Sequence, residues 1–212
     1  MLGQLIAQVS GQGYESYIEE HIIRRAGIGL RSPGFRTDSA VHAVGHHKKW
    51  SLSNFLLGML INKKKFMGKP QRGWQPFRLF HANGAAYGGM TGSAGGLISY
   101  AQALLRNDGL LLNEHYKRLL ITETIISGKP CGIALSWYTG SLKGHSYYAH
   151  AGGGGGYYVE LRIYPELEVG SVILFNRSGM KDERILDAAD RFFISDKDTA
   201  IVSPLFSENH RR

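Results

Sequence analysis

His150 stands in the setting of this chain that most suggests chemistry. It ends the strand-like run Tyr148-Ala-His150, and Ala151 and five consecutive glycines, Gly152 to Gly156, follow it. A second strand-like run, Tyr157-Tyr-Val-Glu-Leu-Arg-Ile-Tyr164, comes next. An imidazole can accept or donate a proton near neutral pH. Glycine costs backbone entropy wherever it is ordered, so five in a row between strands have a reason to be there. Either they form a flexible hairpin tip, or they leave a backbone edge bare so that a ligand can approach it. A second histidine group, His42-x-x-x-His46-His47, has the spacing of a metal pair on one helix face. Gly45 interrupts that helix, no acid or cysteine lies near, and Lys48 and Lys49 would repel a cation. A solvated loop without metal is the expectation there.

The elements that must position His150 follow from periodicity. Leu2, Leu5, Ile6 and Val9 fall at helical spacing with no cap before them, as in a helix already under way. Residues 14–26 make a second helix, with Tyr14, Tyr17, Ile18, Ile22 and Ala26 inward. Ser51 or Ser53 caps a helix through Ile61, which Lys63-Lys-Lys65 closes with favourable charge. Trp50, Phe66, Trp74, Phe77 and Phe80 are spaced as anchors of an irregular loop. Ser93 caps a helix from about Ala94 to Arg106, and another covers about 113–126. From Ser127 the pattern changes to strands: Ile133 to Thr139, Ser146 to His150, Tyr157 to Tyr164 and Val169 to Asn176, an antiparallel meander. A last helix, Asp182 to Ile194, turns Ile185, Leu186, Ala189, Phe192 and Phe193 toward the sheet.

The fold class is therefore α+β: a helical N-terminal half and a C-terminal antiparallel sheet covered by a final helix. The expected division is 1–126 helical, 127–195 sheet and helix, and 196–212 a polar tail. At 212 residues, 43% hydrophobic and 20% charged, the chain is globular in composition. Its formal charge of +8 favours acidic partners at long range without specifying one. Nucleic acid is not expected, because charge alone carries no specificity. No run approaches the ~18 apolar residues of a membrane span, and no membrane partner is expected. The single Cys131 excludes an intrachain disulfide. No cofactor is indicated.

Five stretches, in order, resemble the serine β-lactamase and penicillin-binding-protein superfamily, in its class C-like and esterase-like branch. They are Gly3-Gln-Leu-Ile-Ala-Gln-Val-Ser-Gly11-x-x-Tyr14, Ala86-Tyr-Gly-Gly89-x-x-Gly-Ser-Ala94, Gly132-Ile-Ala-Leu-Ser-Trp137, His150-Ala-Gly152-x-x-x-Gly156-Tyr157 and Val172-Ile-Leu-Phe-Asn176-Arg177. The fourth is similar to the family's third motif in its histidine form. The resemblance implies acyl transfer through a serine ester, with a lysine and a tyrosine carrying protons. It implies that His150 and Gly152 are motif residues and that the N–H of Gly153 donates to the oxyanion. Glycines there would keep side chains out of the acyl group's path. The substrate class implied is a small acyl compound such as a β-lactam or ester.

The family's Ser-x-x-Lys and Tyr-x-Asn belong before the stretch at which Met1 begins. This sequence contains no Tyr-x-Asn; its one Ser-x-x-Lys, Ser178-Gly-Met-Lys181, follows the last strand. Gly179 would weaken a helix start there, and the match reads as chance, as does Ser207-Glu-Asn209. The expectation is the C-terminal two-thirds of a serine hydrolase, inactive alone because its nucleophile is absent. The alternatives are a binding module that keeps the third-motif groove and, less favoured, a basic nucleic-acid binder that uses Lys48, Lys49, Lys63 to Lys65, Lys69 and Arg72. Residues 169–176 should then form an apolar sheet edge, covered by a homodimer or an N-terminal piece.

Overall fold

The computed structural model describes residues 1–29, 34–35, 38, 40–80, 84–106, 108–180 and 184–197. In order, the described elements are α1 (Leu2–Ser10), α2 (Tyr14–Ile18) running into a π-turn at Glu19–Ile23, β1 (His46–Lys48), α3 (Leu52–Leu60), α4 (Lys63–Phe66) and β2 (Trp74–Pro76). Then come α5 (Ala85–Gly88), α6 (Ala94–Leu105), α7 (Glu114–Ile121), β3 (Ile125–Ile126), β4 (Lys129–Pro130), β5 (Tyr138–Leu142), β6 (His145–Gly154), β7 (Tyr157–Tyr164), β8 (Val169–Phe175) and α8 (Ile185–Asp190). The α+β architecture is the one the sequence implies.

The main sheet has the order β5-β6-β7-β8, antiparallel throughout. β8 lies at its edge, as expected for 169–176. Along β7 the side chains alternate between two buried faces. Val159, Leu161 and Ile163 lie on the face that α6 covers, where Ala101, Leu104, Ala134, Trp137, Leu161 and Ile163 form one core. Tyr158, Glu160, Arg162 and Tyr164 lie on the α8 face, all buried. Ser93 caps α6 as expected, its Oγ accepting from the Gly96 N–H at 3.1 Å.

The α8 face is organised by charge. The Arg162 guanidinium donates to Glu160 Oε1 at 3.0 Å, Asp187 Oδ1 at 2.7 Å and the Tyr164 hydroxyl at 3.3 Å, and lies over the Tyr147 ring. Tyr164 and Ser171 both donate to Asp190 Oδ2, at 2.7 and 3.0 Å. The Leu186 N–H donates to Glu160 Oε2 at 3.2 Å. Two carboxylates of α8 are thus bound to β7 and β8, which fixes the helix on the sheet more directionally than apolar contact would.

Several boundaries differ from the sequence pattern. The π-turn lets the second helix advance one residue in phase, so Ile23 rather than Ile22 is buried, together with Ala26. Leu2, Leu5 and Val9 of α1 face outward. Ser51 is the cap of α3, accepting from the Asn54 N–H at 3.1 Å. The three lysines do not close α3 but start α4, capped by Asn62. The helix expected to reach 126 stops at Ile121, and Ile125-Ile126 pairs with Lys129-Pro130 around Ser127-Gly128, both at positive φ. The strand expected from Ile133 begins only at Tyr138, because Gly132 and Ser136 take positive φ and turn the chain back on itself. Phe192 and Phe193 are 86% and 82% exposed, contrary to the inward face expected of them. α8 ends at Asp190, held by the polar network, and the chain returns to the core only at Ile194. Residues 182–183 of the expected last helix, Lys181, and Ser207 and Asn209 lie outside the described residues.

Candidate active site

The five glycines divide into two groups with different physical roles. Gly155 and Gly156 form the two-residue turn of the β6–β7 hairpin, at φ +57° and +86°. Two consecutive positive φ values are what a tight hairpin of this twist requires. A Cβ at Gly156 would also lie 2.5 Å from the Gly45 carbonyl carbon and the His46 nitrogen. Gly152 and Gly154 have neither constraint: their φ is ordinary, and a Cβ on either would meet nothing within 4 Å. The fold requires the turn glycines and leaves Gly152 and Gly154 free. Gly156→Ala is expected to cost about 2–4 kcal/mol, from left-handed strain plus overpacking. Gly152→Ala should be neutral, or stabilise by up to about 1 kcal/mol through lost unfolded-state entropy. Urea unfolding of both variants checks the division.

β5 pairs with β6 only as far as Tyr138 opposite Ala149. Beyond that point no described strand covers this edge of β6. Gly154 and Tyr157 close the hairpin, so Gly152 and His150 also bond to β7. By antiparallel alternation, the N–H and C=O groups of Ala151 and Gly153 face the open edge. The side chain of His150 points to the α6 face with Gly152 and Gly154, opposite Leu161 and Val159. Its Nδ1 is 2.7 Å from the Ser136 carbonyl. A carbonyl only accepts, so Nδ1 carries the proton and Nε2 is left to the cleft.

That cleft has a volume of about 580 Å³. Its floor is Gly152 to Gly155 with His150, Val159 and Leu161; its walls include Phe77, Phe80, Tyr87 and Met90. Tyr157 holds one end of it. Its hydroxyl accepts from the Gly45 N–H at 3.0 Å, donates to the Ala43 carbonyl at 2.7 Å and meets His42 Nε2 at 2.7 Å. Burial pushes the Tyr157 phenol up, against the pull of the Gly45 N–H. His150, Gly152 and Gly153 therefore lie together at one apolar cleft.

The other candidates are placed elsewhere. His46 and His47 are in strand β1, not the expected solvated loop, because residues 46–48 pair with Trp74–Pro76. Among the described residues no group of three or more His, Cys, Asp or Glu side chains is placed to hold a metal. Ser178 Oγ is hydrogen-bonded to His47 Nδ1, and His47 Nε2 is 3.2 Å from Ser53 Oγ. Burial and the nearby Lys63 ammonium push this imidazole down. The Ser178 backbone N–H is committed to the His46 carbonyl at 2.8 Å, and neither residue lines the cleft. The Arg162 network is the polar feature that periodicity missed. Glu160 and Arg162, two apart in an otherwise apolar strand, were its signal.

The Beta-lactamase family model matches residues 1–194. The chain belongs to the beta-lactamase family. No curated protein sequence matches it. Among solved structures, the octameric penicillin-binding protein homologue from Pyrococcus abyssi is 20% identical, with a TM-score of 0.65 over 91% of this chain and 40% of that one. A D-stereospecific amidohydrolase from Streptomyces is 18% identical, with a TM-score of 0.64 over 90% and 51%. A class C beta-lactamase is 16% identical, with a TM-score of 0.61 over 91% and 54%. These likenesses establish a family fold. The chain spans 40% to 54% of the length of these neighbours.

Proposed function

We propose that this chain supplies the substrate-side wall of a serine hydrolase acting on β-lactam, ester or peptide carbonyls. In this reading the nucleophile and its proton carriers come from polypeptide outside residues 1–212, and the chain alone is inactive. The observation that carries it is the open edge of β6: the Ala151 and Gly153 amides face that edge, and Gly153 lines the apolar cleft between Gly152 and Gly154, two glycines the fold does not require. A scissile carbonyl laid along that edge places its oxygen at the Gly153 N–H. That donor stabilises the charge that develops when a nucleophile attacks, at no cost in reorganisation. Nε2 of His150 faces the same carbonyl's substituents. Gly152 leaves room for the acyl group.

The neighbours' length supports a contribution from further polypeptide, since this chain covers only 40%, 51% and 54% of the three. The edge strand β8 and the exposed Phe192 and Phe193 are surfaces that such a piece, or a second copy, would cover. The test is to extend the coding sequence in frame upstream of Met1 and assay both forms with a chromogenic β-lactam and a nitrophenyl ester. Turnover should appear only in a form carrying Ser-x-x-Lys and Tyr-x-Asn, and Ser178→Ala should not change it. Robust turnover by residues 1–212, lost in Ser178→Ala, would overturn the proposal. Saturable β-lactam binding without turnover in either form would favour the binding module instead.

A further inference from the structure

A different surface of the molecule is built for contact, and it does not depend on the cleft. Helix α3 is turned inside out relative to an ordinary surface helix. Leu52, Phe55, Leu56, Met59 and Leu60 recur at i, i+3, i+4, i+7 and i+8, one continuous stripe. That stripe faces solvent: the five side chains are between 48% and 81% exposed. The face turned inward carries Asn54, whose amide donates to the Lys49 carbonyl at 2.6 Å, and the half-buried Leu57. Trp50, 79% exposed, lies just before the helix with the Lys49 ammonium 4.9 Å from its ring centroid.

The charge flanking the stripe along the chain is of one sign. Lys48 and Lys49 precede α3, and Lys63, Lys64 and Lys65 follow it. From residue 39 to residue 107 the sequence has six lysines and three arginines and no aspartate or glutamate. An exposed apolar stripe, a tryptophan beside it and lysines at both ends are the parts of an interfacial helix. We propose that α3, with Trp50 and the flanking lysines, docks this chain on an anionic lipid surface. The stripe enters the boundary between headgroups and acyl chains, and the lysines meet lipid phosphates.

The same charge argues against the other occupants. A second copy seated on this stripe would bring two lysine clusters face to face. A nucleic acid would satisfy the lysines but leave the aliphatic stripe in water. Nor is a span involved: no helix among the described residues is long and apolar enough to cross a membrane. The expectation of no membrane partner considered spans, whereas this surface is visible only once the stripe is seen to face outward.

The test is sedimentation of the full chain with phosphatidylglycerol-containing vesicles and with pure phosphatidylcholine vesicles. Binding is expected to the first, weakening with salt, and not to the second. Lys64→Gln with Lys65→Gln should lower partitioning about 30-fold. Phe55→Ser with Met59→Ser should lower it at least about tenfold. These side chains are exposed, and unchanged circular dichroism and urea midpoints confirm that the variants are folded. Equal binding to both vesicle types, or none, overturns the proposal. So does a dimer in light scattering that Leu56→Glu abolishes, which assigns the stripe to a second copy. Duplex binding indifferent to the Phe55 and Met59 changes, with no vesicle binding, assigns the lysines to nucleic acid. Loss of vesicle binding in the upstream-extended form assigns the stripe to the completed fold.

Discussion

Arg162→Ala is expected to lower the stability of the chain by about 3–5 kcal/mol at neutral pH, the cost of leaving buried carboxylates without their cation. A domain of this size has roughly 5–15 kcal/mol in total, so one side chain then decides whether the sheet keeps its last helix. The guanidinium is fully buried and serves Glu160, Asp187 and the Tyr164 hydroxyl at once. Its removal leaves Glu160 and the two α8 carboxylates facing one another with hydroxyls and N–H groups alone. Arg162→Lys should lose less, since it keeps the charge but not the planar fork.

The pH dependence has a definite sign. Burial already holds the Glu160 carboxyl above the usual carboxylate range, against the Leu186 N–H and Arg162. A carboxyl raised in the fold contributes its full stability below its unfolded value and loses it as pH rises through the folded one. Removing Arg162 raises it further. The deficit of Arg162→Ala relative to the parent should therefore be largest at neutral pH and shrink as pH falls toward about 4. Urea unfolding across that range measures it. A deficit independent of pH would show that the carboxylates are not charged in the fold.

Under the proposed function, Gly153→Pro is expected to reduce the turnover of an upstream-extended form by about 10²–10³-fold, the usual effect of deleting one oxyanion donor. Proline removes the N–H, and at this position no strand hydrogen bond is lost, because the group faces the open edge of β6 rather than β7. A Cβ at 153 approaches the Tyr157 carbonyl oxygen at 3.3 Å. Gly153→Ala makes that same contact and keeps the donor, so it should retain activity within about tenfold. Equal losses in the two variants would mean that the contact matters and the amide does not. The loss should appear in kcat more than in KM, because the oxyanion exists only beyond the ground state.

How much of this was legible beforehand differs from element to element. The helix under Ser93 and the β6 to β8 meander were visible because capping and alternation are local properties. The end of the 113–126 helix was not, because Ile125-Ile126 reads equally well as helix or strand until the turn at Ser127-Gly128 pairs it with Lys129-Pro130. The inward face of 14–26 is shifted by one residue from what the spacing implies, since a π-turn is not visible in spacing. The outward stripe of α3 could not be read at all: periodicity shows that a helix has an apolar face, not which way that face is turned.

By itself the sequence determined the family and the fold class, and it pointed to His150, Gly152 and Gly153, which line one cleft. Those follow from ordered motifs and from residue types that only certain backbones and reactions need. The tertiary structure decided what the five glycines do. Gly155 and Gly156 make the turn, and Gly152 to Gly154 leave a strand edge bare, a distinction that depends on φ and on neighbours such as Gly45 more than a hundred residues away. It also decided that Glu160 and Arg162 are buried partners, and that the lysine-flanked stripe faces water. Such facts arise from contacts between distant segments, and no local pattern encodes them.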